Sequence, residues 1–478
     1  MTFYKSIFIK YIPYIIALYM IVLISGCSPV GPDYEPPKTQ VPQNWHAPLE
    51  SGITAEQFDP NTLTKWWTMI DDPMLTDIIE RAIANNLDLK IAIERIRESR
   101  ARRAITEASL YPSFNSSGSA TKSRSRNVSN TTSHYSANFD AGWEMDFFGG
   151  LRRSVEAANA DLQASQENMY NTLVSLLSEV ALNYVEIRTY QARINSVQSS
   201  IDLQNETYQL TLWRNEAQLI DELTVQQALY NLESSRSQIP SLRAGLEQSM
   251  NSLALLLGEE AGKLQEELQK VEPIPNAPEN IAIGVPADVI RRRPDIRSAE
   301  LSLAAQTARV GVATAQLYPS FTLNGSLGLD ATSLSNISSG TWTLSGGPRF
   351  SWPVFDAGAI KQNINVQSAL VDESLLQYKS VVLSAFKEVE DGLISYVQEQ
   401  QRRNNLRAAA QAAQSAVQLA TQKFEVGLTD FTTVLDTQRS LLSFQDQLAQ
   451  SDGMVTSNVI RLYKALGGGW ESFASNEY

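Results

Sequence analysis

The pentapeptide Leu110-Tyr111-Pro112-Ser113-Phe114 recurs 207 residues later as Leu317-Tyr318-Pro319-Ser320-Phe321, and this repetition restricts the fold more than any other feature. The echo keeps its order along the chain. Asp88-Leu89 answers to Asp295-Ile296 and Phe148 to Phe355 at the same offset, then Leu219-Ile220-Asp221 to Leu428-Thr429-Asp430 and Leu257-Gly258 to Leu466-Gly467 at 209. Ordered matches that drift by two residues mark an internal duplication, so what one half builds the other must build too.

Each half changes pattern twice. Residues 72–108 and 286–315 are rich in Ala, Ile, Leu, Glu and Arg at helical spacing. After Pro112 the chain turns to Ser, Gly, Ala, Thr and Asn, passes a polar tip from Lys122 to His134, and then alternates large apolar with small or polar residues from Tyr135 to Phe147. This spacing predicts a β-hairpin over about 113–147, and its counterpart over about 320–355. Strands of that length suffice to cross a bacterial outer membrane, which takes about 9 to 11 tilted residues.

From Leu151 to Ile239 there is neither Gly nor Pro. Leu173, Leu177, Val180, Tyr184, Ile187, Gln191, Ile194, Gln198 and Ile201 follow a four-three step and predict a coiled-coil seam. One helix over about 151–213 would run roughly 95 Å. The second half offers Lys361 to Val426, interrupted only by Gly392. The predicted organisation is therefore a first repeat at 66–258 with long helices at 151–257, a linker at 259–285, a second repeat at 286–467 with long helices at 361–466, and a tail at 468–478. The fold class is mainly α: long antiparallel helical hairpins plus two β-hairpins per chain.

The first 26 residues carry Lys5 and Lys10 ahead of an apolar stretch from Tyr11 to Ile24, with no acidic residue, which predicts a cleaved signal peptide over 1–26. The stretch ends Leu23-Ile24-Ser25-Gly26-Cys27, which resembles the lipobox of bacterial lipoproteins. By that resemblance Cys27 becomes the first mature residue, acylated, and 27–65 is a lipid-anchored N-terminal segment. Ser28 is not the Asp that resembles an inner-membrane retention signal, so the anchor points to the outer membrane.

Cys27 is the only cysteine and the histidines are two, His46 and His134. No disulfide, metal-ligand set or His-based dyad fits that inventory, and no Gly-x-Ser-x-Gly motif is present, so a lipid-anchored hydrolase is disfavoured and neither enzyme chemistry nor a cofactor is expected. Formal net charge is −13, and loss of Lys5 and Lys10 makes it two units more negative, which argues against nucleic acid as partner. Beyond the leader no apolar run is long enough for a membrane helix, so any crossing must be made by a β-barrel.

Two hairpins supply four strands, and bacterial membrane barrels close with about eight or more. Free strand edges in lipid leave backbone groups unsatisfied at several kcal/mol each, so edges must meet strands of other copies. Two, three or more copies satisfy that argument.

The motifs together resemble the outer-membrane factor family, the TolC and OprM group, in its NodT-like lipoprotein branch. They are Cys27 with Val30-Gly31-Pro32-Asp33-Tyr34-Glu35-Pro36-Pro37, Trp66-Trp67 with Asp72-Pro73 and Leu75, and both Tyr-Pro-Ser-Phe strand entries. Further along come Ala287-Asp288-Val289-Ile290 with Arg292-Arg293-Pro294-Asp295-Ile296, and Phe424 with Gly427 and the run Asp430 to Asp436. The resemblance implies a homotrimer with a 12-stranded β-barrel in outer-membrane lipid and a 12-helix periplasmic barrel. It also implies docking to a periplasmic adaptor and an inner-membrane pump of the resistance-nodulation-division type. Such a protein is a passive, gated exit duct for small molecules across periplasm and outer membrane. Substrates in that family are drugs, detergents, dyes or metal ions.

A conduit is held shut by side chains at a constriction. The helix-hairpin turns fall at Glu216 to Asp221 and Glu425 to Asp430, where Gly427 suits a positive φ. Gln218 stands where the family usually shows glycine, so the first turn is expected to be shaped differently. Asp436 matches the family's acidic ring position. Thr432 stands where relatives carry a bulky apolar ring and Glu425 where some carry a basic residue. The gate candidates are thus Asp436, Thr432, Glu425 and Asp430, with Gly427, Gln218 and Asp221 in the turns. Trp66 and Trp67 are expected to be packing residues, Trp143, Trp342, Trp352 and Phe355 an interfacial girdle, and Arg291-Arg292-Arg293 a surface cluster at a helix start. Two rival readings are a poreless periplasmic coiled-coil lipoprotein, which leaves the paired hairpins unexplained, and a TolC-like duct for protein secretion.

Overall fold

The computed structural model describes residues 29–38, 42–54, 63–124, 131–278 and 280–474. The leader at 1–26, Cys27 and Ser28, the end of the first hairpin at 125–130 and the last four residues of the tail lie outside them.

The chain forms two compact units, and each draws on both sequence repeats. Among the described residues, the first combines 29–38 with 95–166 and 298–379; the second combines those of 42–94 with 167–297 and 380–474. Helices α1 (Pro73–Asn85), α2 (Leu87–Ala108) and α3 (Gly150–Glu216) flank the first hairpin, β2 (Ser113–Arg124) and β3 (Thr131–Met145). Strand β1 (Ile53–Thr54) precedes them. Then follow α4 (Glu222–Arg236), α5 (Gln238–Leu256), β4 (Ile281–Ala282), α6 (Pro286–Arg292) and α7 (Pro294–Ala315). The second hairpin is β5 (Ser320–Ala331) with β6 (Thr341–Ser351), and the chain closes on α8 (Ala359–Glu425) and α9 (Phe431–Ala465).

In the first unit the four long strands form one antiparallel sheet in the order β2-β3-β5-β6. The duplication is visible atom by atom at its base: Trp143 Nε1 donates to the carbonyl of Leu110 at 2.9 Å, and Trp352 Nε1 to that of Leu317 at 3.0 Å. Each long helix starts on an aspartate. Asp146 accepts from the amides of Leu151 and Arg152, and Asp356 from those of Gly358 and Ile360, the anionic cap that a helix N-terminus favours.

The chain just after Cys27 is part of this unit. The Val30 amide donates to the Phe148 carbonyl at 3.0 Å. The buried Arg153 donates to the Val30 carbonyl at 3.2 Å and to Asp33 Oδ1 at 2.6 Å. Gly31 lies so close to Gly311 that a Cβ would meet its Cα at 2.4 Å, so only glycine fits there.

In the second unit α3, α4, α5, α8 and α9 share a core. One cluster joins Val197, Ile201, Leu232, Ile239, Leu242 and Leu442; another joins Ala228, Ala420, Phe424, Phe431, Val434 and Leu435. Leu173 through Gln191 keep the predicted seam buried, and then Gln198 is exposed while Val197 is buried. Ile201, the last predicted seam position, is buried again, so the break is local to Gln198. Helix α1 has Pro73 at its first position, and Asp72 caps it by accepting from the Leu75 amide at 3.0 Å. Trp66 and Trp67 are buried edge to face, with Trp66 stacked on Tyr463.

The arginine run is not a surface cluster at Arg293. That side chain is buried, paired with Asp295 and Glu388, each at 2.7 Å, and donating to the Ala465 carbonyl at 2.8 Å. Pairing keeps its guanidinium protonated against the cost of burial.

Candidate functional site

Register divides the sheet into two chemically distinct faces, because strand side chains alternate and paired residues share a face. Phe114 pairs with Ala141, Ser116 with Phe139 and Ala120 with Tyr135; Phe139 pairs with Leu327, Trp143 with Leu323 and Met145 with Phe321; Phe321, Leu327 and Leu329 pair with Phe350, Leu344 and Trp342. All of these lie on one face, and it is uncovered: Phe114 is 80%, Leu344 85% and Phe350 68% exposed. The other face carries Ser117, Ser119, Asn138, Asp140, Glu144, Asn324, Asp330 and Arg349 by the same register. On it His134 Nε2 lies 3.2 Å from Asp330 Oδ1.

An open apolar surface of this extent is unfavourable in water and suited to hydrocarbon. The span from Tyr135 to Met145 on β3, at about 3.3 Å per residue and a 40–45° tilt, gives an apolar band roughly 25 Å high, the height of an outer-membrane barrel belt. No helix among the described residues is long and apolar enough to cross a membrane. Strands β2 and β6 are the sheet's borders, each paired on one side only.

The second element is the pair of helix turns. After α8 the Gly427 amide donates to the Phe424 carbonyl at 3.0 Å and the Leu428 amide to that of Lys423 at 2.8 Å, with Gly427 at φ +76. After α3 the Gln218 amide donates to Asn215 and the Leu219 amide to Arg214, both at 2.8 Å, with Gln218 at φ +55. The first turn is therefore not shaped differently. Gln218 takes the left-handed conformation that Gly427 takes, and the backbone bonding is the same.

Both turns end on a capping aspartate. Asp221 Oδ1 accepts from the Thr224 amide at 3.0 Å and hydroxyl at 2.6 Å. Asp430 Oδ1 accepts from the Thr433 amide at 3.0 Å and from the Thr432 and Thr433 hydroxyls at 2.7 and 2.8 Å. These bonds hold both carboxyls below the usual range. Thr432 is thus engaged in the cap. Asp436 is exposed on α9, beside a shallow groove lined by Ala412, Ala416, Thr433 and Ser440.

Arg214, which the sequence reading missed, joins the two turns. From the last turn of α3 its Nη1 donates to the Phe424 carbonyl at 2.9 Å and its Nη2 to the Glu425 carbonyl at 2.7 Å. Its guanidinium lies 4.8 Å from the centroid of the Phe424 ring, which packs on Phe431. Glu425 therefore contributes its backbone to this contact.

The family model for outer membrane efflux proteins matches residues 78–259 and 285–468, the two halves of the duplication. The chain belongs to the outer membrane efflux protein family. This efflux protein is 33% identical over 462 residues to nodulation protein T of Rhizobium leguminosarum bv. trifolii, covering 95% of this chain and 97% of the relative. It is 31% identical over 465 residues to the probable efflux pump outer membrane protein TtgC of Pseudomonas putida, covering 94% of each. Among solved structures it resembles the outer-membrane channel OprN with a TM-score of 0.85 and 33% identity, covering 92% of this chain and 99% of that one. The mainly helical fold with its small antiparallel sheet is that of an outer-membrane efflux channel.

Proposed function

We propose that three copies of this efflux protein close their sheets into one 12-stranded barrel, giving small molecules a passive exit through the outer membrane. The two-faced sheet with two free borders carries this reading. Its apolar face suits lipid, its polar face suits an aqueous lumen, and its borders find partners in identical strands of neighbouring copies. The helices form the periplasmic tube, and its end meets an adaptor and an inner-membrane pump of the resistance-nodulation-division type; a relative named as the outer membrane protein of an efflux pump supports a pump partner. The duct performs no bond chemistry.

The gate is assigned to the two helix turns, with Asp436 of three copies as a carboxylate ring that favours cations. Glu425, Thr432 and Asp430 hold the second turn, and Asp221, Gln218 and Gly427 set the turn geometry. Acylated Cys27 anchors the chain. Two residues separate it from Val30, which is bonded at the foot of β3, and the three Cα–Cα steps reach at most about 10 Å, so the acyl chains would enter lipid beside the barrel base.

The test is reconstitution of the mature protein in planar bilayers, with trimers checked as heat-sensitive bands on a gel. Conductance with cation preference that weakens in Asp436→Ala is expected; a trimer that never conducts would favour a poreless spacer. Radiolabelled palmitate should vanish from Cys27→Ser, and its persistence refutes the anchor.

A further inference from the structure

The lipid-side face of the sheet changes character at one end. Ala120, Tyr135 and Ala331 share a row, and Trp342 pairs with Leu329 one step before it. Beyond that row the next two residues of β2 on the same face are Lys122 and Arg124, paired with Ser133 and Thr131. Both are exposed. This end carries the hairpin connections, whereas the other end leads into the helices, so it is the end that faces outward from the cell.

Charge on the sheet is sorted by face. Asp140, Glu144 and Asp330 all have the opposite parity, as does Arg349. The lipid-side residues of β3, β5 and β6 include no carboxylate. Lys122 and Arg124 are therefore the only charges among the described strand residues on that face, and nothing on it neutralises them. They lie two and four residues past the Ala120 row. At about 3.3 Å per residue and a 40–45° tilt, that puts them roughly 5 and 10 Å above the aromatic row, at the depth of lipid headgroups.

We propose that Lys122 and Arg124 form a site for the phosphate groups of the outer-leaflet glycolipid, the lipid A part of lipopolysaccharide. The inference rests on the barrel reading above. A planar guanidinium takes two phosphate oxygens at once and an ammonium adds a mobile point charge, a pairing suited to phosphate. Six such cations ring a trimer. They lock the barrel's depth at the headgroup plane, while the aromatic row below holds it against the hydrocarbon.

The experiment uses the purified full-length trimer, scored first on a gel, then titrated with bisphosphorylated lipid A, dephosphorylated lipid A and phosphatidylglycerol and read by native mass spectrometry. Lipid A should bind about 30-fold more weakly to Lys122→Gln/Arg124→Gln, given the contribution of each cation at an anionic lipid surface. Arg124→Lys, which keeps the charge but loses the fork, should fall between. Dephosphorylated lipid should bind the native trimer as weakly as it binds the double variant. Equal binding of lipid A by native and double-variant trimers overturns the site. So does equal native affinity for phosphatidylglycerol, which would show a generic anionic-lipid contact. A chain that stays monomeric sinks the barrel and this site with it, whereas a trimer without phosphate preference sinks the site alone.

Discussion

Arg214 at the end of α3 closes over Phe424 at the end of α8, its fork on two carbonyls and its face on the ring. Helix C-termini gather partial negative charge that a cation stabilises, and here the cation comes from the other helical hairpin. Hydrogen bonds from a charged donor contribute roughly 1.5–3 kcal/mol, and half-exposure puts this contact near the lower end, about 2 kcal/mol. Arg214→Ala is expected to raise the fraction of time the channel is open and to speed amide exchange at residues 424–428. Lysine lacks the fork and should restore little; full closure in Arg214→Lys would show that charge alone suffices.

Gln218 and Gly427 occupy the same position in two copies of one turn, at φ +55 and +76. A non-glycine residue strains there, by about 1–2 kcal/mol less the entropy glycine loses on folding, so Gln218→Gly should stabilise the first turn by about 0.5–1 kcal/mol. Gly427→Gln should destabilise the second by a similar amount although open space surrounds that position. Thermal unfolding of both variants checks the pair, and a neutral Gln218→Gly would mean the side chain has an offsetting partner.

The Asp430 cap fixes a pH response. Its carboxyl ionises below the usual range because Thr432 and Thr433 donate to it, so its stabilisation is complete above the ordinary carboxylate value. That stabilisation is lost as pH falls from about 4 downward, through the lower folded value. Protection of the Thr433 amide, its exchange rate taken relative to the base-catalysed rate of an unstructured amide at the same pH, should be constant near neutrality and fall in acid. Asp430→Asn, still a capping residue but uncharged, should remove that acid-side fall, and Asp430→Ala should be weakly protected at every pH.

Leu327 and Ser326 are neighbours in β5 on opposite faces of the sheet. A cation on the lipid side costs roughly 2–4 kcal/mol near mid-membrane and little in a lumen. Leu327→Arg should therefore reduce trimer in the membrane fraction severalfold, while Ser326→Arg leaves it intact and shifts ion selectivity toward anions. The reverse pattern would exchange the two faces.

Much of this was legible in the residues because the signals were local. The hairpins announced themselves through alternation between large and small residues, and the long helices through the unbroken stretch without Gly or Pro. Contacts set by tertiary packing were not legible. Arg293 looks like any arginine at a helix start until Glu388 and the Ala465 carbonyl close around it. Arg214 is a plausible C-terminal cation, but its partners lie over 200 residues away. Gln218 misled because an unfavourable residue can still be forced into a left-handed turn by the bonds on either side.

The unfinished borders of the sheet bear on how the protein is made. In the proposed trimer, three separate copies carry six raw borders, a dimer beside a free copy four and the closed ring none, so the closing step hides twice as many borders as the first. Assembly should then look all-or-none, with scarce dimers. Newly exported subunits would need an escort in transit, since each carries a greasy surface and a sticky margin until its ring is complete.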